Sequence, residues 1–190
     1  ANNDRGPSLS PDGTRLAYSR DIGHGGEIFV VDIDTLASNQ LTDNTVADVD
    51  PAWSSTGDTI AFTSERYGTR DILTMDSSGG NVQQLTFGPN DESEPAWSPD
   101  GSQLLYSREW APDYPVYLDD AAGGNGFVPQ YYGLFDGVYV VGAQWLPDGE
   151  TVLYSAGDHT NMDLWLYDVS AKTFSQLTNS AGVIDKYPRI

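Results

Sequence analysis

Pro51-Ala52-Trp53-Ser54 and Pro95-Ala96-Trp97-Ser98 are identical tetrapeptides set 44 residues apart, and they decide the fold. Ala143-Gln144-Trp145-Leu146 holds the same place further on, and Pro7-Ser8-Leu9-Ser10 is an earlier copy. With Leu9, Trp53, Trp97 and Trp145 as anchors the spacings are 44, 44 and 48 residues. A period of that size built from short strands is the mark of propeller blades.

What surrounds each anchor supplies four strands. A turn follows at once, as Ser10-Pro11-Asp12-Gly13, Ser54-Ser55-Thr56-Gly57, Ser98-Pro99-Asp100-Gly101 and Leu146-Pro147-Asp148-Gly149. Proline presets φ, aspartate bonds its own backbone and glycine takes the positive φ, so a tight hairpin is expected. A β-branched and aromatic run comes next, Arg15–Ser19, Thr59–Thr63, Gln103–Ser107 or Thr151–Ser155. A polar loop then leads to a third strand that closes on Asp32, Asp76, Asp120 or Asp168. The fourth strand ends in Gln40-Leu41-Thr42, Gln84-Leu85-Thr86 and Gln176-Leu177-Thr178.

This pattern of P-x-W-S-P-D-G, I-A-F-x-S, I-x-x-M-D and Q-L-T resembles the TolB-like β-propeller repeat, with WD40-like blades. The resemblance spans residues 7 to 190 and implies an all-β propeller of four-stranded antiparallel blades. The chain reads as one segment over residues 1–190, with blades at about 7–42, 51–86, 95–132 and 143–178. A fifth begins at 187–190, where Pro188 stands two positions before Ile190 as each proline stands before its anchor. Four blades is the lower limit of circular closure, so the chain is expected to be part of a larger propeller rather than a self-contained ring, with completion by further blades or by another chain. The third copy is the irregular one: residues 123–137 replace its fourth strand and lack Q-L-T.

Composition narrows the function. The 28 acidic residues against 9 basic ones give a net charge of −19. Such a surface repels nucleic acid and anionic membranes. No run of 18 apolar residues is available for a membrane helix, so membrane insertion is not expected. Scarce lysine and abundant aspartate suit an exported protein, periplasmic, cell-surface or extracellular, from a saline medium. Without cysteine there are no disulfides, thiolate metal sites or cysteine nucleophiles. No G-x-S-x-G element, P-loop or dinucleotide fingerprint occurs either.

In blades of this kind the first strand lies nearest the channel, which places the loop before it and the loop between strands two and three on one face. Three residues before each anchor proline stand Asp4, Asp48, Glu92 and Asp185, while the fourth blade offers Val140. These four acids are read as a ring of loop carboxylates able to take a cation, with calcium as the cation such a ring suits. No D-x-[DN]-x-[DN]-G calcium loop accompanies them, and no other cofactor is expected. Asp50 and Glu94, directly before the proline, are read as partner-binding acids on the same face. His24 and His159 share it, without ligand spacing, and Trp110 and Tyr114 of the third blade add aromatic surface for a protein or glycan. The recurring Ser19-Arg20, Ser64-Glu65-Arg66 and Ser107-Arg108 elements are read as structural, each arginine reaching a carboxylate such as Glu27 or Asp71.

The resemblance to TolB, a periplasmic scaffold, implies a non-catalytic interaction module. It also leaves two enzyme-linked readings open, the propeller of a secreted polysaccharide lyase and the gating propeller of a prolyl-oligopeptidase-type peptidase.

Overall fold

The computed structural model describes residues 3–23, 25–109, 116–120, 139–157 and 161–179. Among these residues the chain is all strand and turn, without a helix, and its sheets are antiparallel. The chain forms two compact units, Ala1–Trp97 and Ser98–Ile190.

The first unit contains two complete blades. β1 (Asp4–Leu9), β2 (Arg15–Arg20), β3 (Glu27–Asp32) and β4 (Ser38–Gln40) pair in chain order, and β5 (Asp48–Trp53), β6 (Thr59–Ser64), β7 (Asp71–Asp76) and β8 (Gln83–Gln84) repeat the arrangement. β9 (Asp91–Trp97), the first strand of the third copy, packs beside β5. In the second unit β10 (Gln103–Glu109) pairs with β11 (Val116–Asp120). There β12 (Tyr139–Trp145), β13 (Thr151–Gly157), β14 (Met162–Asp168) and β15 (Thr173–Gln176) form a complete blade. The core of the first unit gathers Ala17, Ile28, Val30, Trp53, Ile60, Phe62, Leu73 and Met75. All but Trp53, the anchor that closes β5, come from the β-branched and aromatic runs that define strands two and three.

Two repeated sequence elements have a clear physical task. In the turn after each first strand the glycine N–H donates to the carbonyl of the residue three before it: Gly13 to Ser10, Gly57 to Ser54, Gly101 to Ser98 and Gly149 to Leu146. Asp12 accepts from Ser10 Oγ at 2.6 Å and from Thr14 N at 3.0 Å, and Asp100 accepts from Ser98 Oγ and Ser102 N at the same distances. These donors hold both carboxyls down to about 2.

The threonine of Q-L-T ties the outer strand to the head of the third. Ile28 N, Ile72 N and Leu164 N donate to Thr42, Thr86 and Thr178 Oγ1 at 2.8, 2.8 and 2.9 Å. The neighbouring leucine N–H returns a bond to the carbonyl of the same residue, Leu41 to Ile28, Leu85 to Ile72 and Leu177 to Leu164. This two-point clamp allows the fourth strand to be as short as the two residues of β8.

Candidate functional site

The first strands carry the acids, and a bulge decides how they lie. In β1 the register against β2 slips between Arg5 and Ser8, in β5 between Val49 and Ala52, and in β12 between Val141 and Gln144. Two residues therefore oppose one, and the first of the two takes a left-handed conformation. It is Gly6 at φ 56° and Gly142 at φ 65° in two blades, but Asp50 at φ 52° in the second. Glu94, at the equivalent place in β9, has φ 56°. Only glycine adopts that conformation without cost, and the following Pro51 or Pro95 restricts the position further. Strain of this kind is worth about 1–3 kcal/mol per residue.

Asp50 is half-buried and Glu94 is exposed. Burial pushes the Asp50 carboxyl up from the usual carboxylate range, against the opposing pull of Arg70 and Arg5. Gly6 stands against it: a side chain there would lie 3.4 Å from Asp50 Cα and 3.5 Å from its Oδ1. Residue 6 of β1 therefore lies directly beside Asp50 of β5, at a spacing that a Cβ would meet as ordinary contact, so it is the positive φ rather than lack of room that favours glycine there.

The carboxylates three residues before each proline behave differently from loop acids, because the first strands begin earlier than the proline suggests. Asp4 and Asp48 open β1 and β5, and Glu92 is the second residue of β9. The Asp48 side chain is 0% exposed, receives Arg66 Nη2 at 2.6 Å, and accepts from Asn44 Nδ2 at 2.7 Å. Asn44 N in turn donates to Glu27 Oε1 at 3.0 Å, so one asparagine links two buried acids. Glu92 is fully buried and accepts from Thr86 Oγ1 at 3.1 Å. Asp4 is 47% exposed and holds Arg20 through two bonds of 2.7 and 2.8 Å, which lower its pKa. Among the described residues no three His, Cys, Asp or Glu side chains gather as a metal site.

The arginines are structural, with a correction to their partners. Carboxylates such as Glu27 or Asp71 are the expected partners, whereas Arg20 reaches Asp4 and Arg66 reaches Asp48, each at the head of the first strand. Arg20 lies between Asp4 on one side and Glu27 on the other in the strand register, but Glu27 is buried and engaged by Asn44 N. The exposed acid is therefore the accessible one.

Asp185, His24, His159, Trp110 and Tyr114, expected to contribute to a site, lie outside the described residues. What the sequence reading missed is the distinction between the two acids of each first strand. Asp48 and Glu92 are built into the interior, while Asp50 at the bulge of β5 and Glu94 at the equivalent place in β9 take the left-handed conformation. One signal was present: the bulge residue is glycine in two copies and acid in two.

The sequence matches the TolB beta propeller domain model over residues 2–126. No curated protein matches it. TolB from Acinetobacter baumannii is similar in structure, with a TM-score of 0.80 and 22% identity over 96% of this chain and 44% of that one. Putative TolB from Agrobacterium tumefaciens gives 0.79 and 19%, over 94% and 66%. A puromycin-hydrolyzing peptidase of Mycobacterium tuberculosis gives 0.73 and 17%, over 94% of this chain and 30% of its own length. The chain thus spans less than two thirds of each of these proteins, and at such identities the shared property is the fold.

Proposed function

The chain belongs to the TolB beta propeller domain family, and on that premise we propose that it is an exported, non-catalytic interaction module that offers Asp50 and Glu94 to a basic segment of a protein partner. The ring is completed, on this reading, by blades beyond the four of the repeat, in the same chain or another. One observation carries the proposal: two neighbouring first strands, β5 and β9, place a carboxylate at a left-handed, pre-proline position where β1 and β12 place glycine. Glycine would relieve the strain at both positions. An acid kept there at a cost in stability is a sign of use, and surface carboxylates in a protein of net charge −19 attract and steer cationic partners.

Enzyme-linked readings draw on less. The likeness to the peptidase supports a gating propeller in which the chemistry belongs to a separate domain, and this reading assigns no role to the bulge acids.

A fluorescently labelled oligolysine peptide serves as the probe. Its anisotropy is followed with the wild type, with Asp50→Gly/Glu94→Gly, and with the control Asp34→Asn/Asp43→Asn, which removes the same charge from two exposed turns. The proposal expects the bulge pair to weaken binding at least tenfold and the control pair to weaken it much less. Equal losses would reduce the attraction to net charge and overturn the proposal.

A further inference from the structure

We propose that the loops at 65–70 and 87–90, beside the bulge acids, take the partner's basic segment through arginine, with the Tyr67 and Phe87 rings receiving its guanidinium groups. The inference deepens the reading of Asp50 and Glu94 as partner-binding acids and rests on it, because it says which cation the acidic face selects.

Both rings depart from the repeat. Tyr67 stands where the first blade has Gly23, 44 residues earlier, and Phe87 follows Gln84-Leu85-Thr86 where the other copies of that element continue with Asp43 and Asn179. The two aromatics are 59% and 69% exposed. The second blade has the first blade packed on one side and β9 on the other, so both loops lie within the run of blades rather than at its margin.

Hydrogen bonds hold the two loops together. Gly68 N donates to Glu65 O at 3.2 Å and closes the first loop in a turn with Tyr67 at its tip. Thr69 Oγ1 donates to Gly88 O at 3.3 Å, Arg70 N to Asp91 Oδ1 at 2.9 Å, and Glu92 N to Arg70 O at 2.7 Å. Tyr67 and Phe87 therefore flank a fixed seam, and aromatic side chains on an ordered backbone bind at a small entropic cost. Arg70 of the same loop is near enough to Asp50 for its charge to act on that carboxyl, which sets the seam beside the bulge.

The choice of arginine follows from what aromatic rings do elsewhere in this chain. Arg15 lies over Trp53 at 4.5 Å, Arg20 over Tyr18 at 5.1 Å, Arg66 over Phe62 at 5.6 Å and Arg108 over Tyr106 at 5.9 Å. Among the described residues Tyr67 and Phe87 have no cation over them, and Arg70 is turned to Glu65 Oε1 at 3.2 Å. A guanidinium is flat and weakly hydrated, so it lies on a ring and pairs with a carboxylate at once, whereas an ammonium is compact and strongly hydrated. Exposed rings beside acids, in a protein of net charge −19, suit arginine above lysine.

The anisotropy measurement is repeated with a labelled oligoarginine peptide of the same length as the oligolysine. The wild type is expected to bind oligoarginine about fivefold or more tighter. Tyr67→Leu/Phe87→Leu keeps the apolar bulk and removes the π faces, and it is expected to bring the two peptides within about twofold of each other while changing oligolysine binding much less. Tyr67→Phe is expected to keep the preference, and Leu36→Ala, at an exposed residue of another turn, to leave it unaltered. Equal binding of the two peptides by the wild type, or a preference that survives in the double leucine variant, overturns the inference. A bulge pair whose loss leaves oligolysine binding intact counts instead against the reading beneath it, and the arginine preference and its dependence on the rings are read in either case.

Discussion

β1 and β5 have the same length, the same bulge and the same acid at their heads, yet one is exposed and the other forms part of the core. Sequence at the level of the repeat specifies the strand. Burial is supplied by the neighbouring blade, which is why a repeated position in the pattern has no fixed energetic weight. Asp48 illustrates this: shut away from water, it depends on Arg66 and Asn44, whereas Asp4 makes its bonds to Arg20 at the surface.

Truncating the anchors separates the two strands most widely. Trp53→Ala is expected to cost about 3–5 kcal/mol in urea unfolding, as large aromatic deletions from cores do. Leu9→Ala should cost less than about 1 kcal/mol, the range of exposed substitutions. Similar losses at the two positions would show that β1 is as well packed as β5.

The head acids come next. Asp48→Ala leaves Arg66 beside a buried void, and removing one partner of a buried pair costs about 3 kcal/mol or more. Asp4→Ala removes a solvated pair and should move the unfolding midpoint little. The two clamps give a finer contrast. Thr42→Val and Thr86→Val each deprive a buried N–H of its acceptor, at about 1–3 kcal/mol. Thr86→Val should cost the more, since Thr86 Oγ1 also donates to the buried Glu92.

Acid titration yields the smallest effect and the sharpest sign. The Asp12 carboxyl, held at about 2 by Ser10 and Thr14, stabilises the fold above the unfolded carboxylate pKa and loses that contribution as pH falls through about 2. Asp12→Asn should flatten the acid limb. Asp50 is raised by burial, so its ionisation opposes folding, and its contribution improves as pH falls through its folded pKa toward the unfolded value. Asp50→Asn should therefore remove a loss of stability that the wild type suffers on going from acid toward neutral pH. Unfolding midpoints measured across that range distinguish the two slopes.

Much of the fold was legible because the repeat states it four times. The turns, the second and third strands and the Q-L-T element stand where the spacing puts them, since each depends on local chemistry: a glycine at positive φ, a β-branched run, a threonine within reach of a strand-head amide. The heads of the first strands were not legible. In β1 and β5 a bulge adds one residue and carries pairing back past the proline, so acids that read as loop carboxylates are strand residues, Asp4 paired at the surface and Asp48 in the interior. The arginine partners were misjudged for a related reason. Sequence offset places Arg20 equally close to Asp4 and Glu27 in register, and only burial of Glu27 decides between them.

The bulge acid itself offers the most direct test. Urea unfolding of the wild type and of Asp50→Gly, each with and without the oligolysine peptide, reads strain and binding in one experiment. If Asp50 is kept for a basic partner at the expense of stability, the free glycine variant is more stable by about 1 kcal/mol, and the peptide raises the midpoint of the wild type well above any shift in the variant. A glycine variant that is less stable than the wild type, or one stabilised equally by the peptide, would contradict the account.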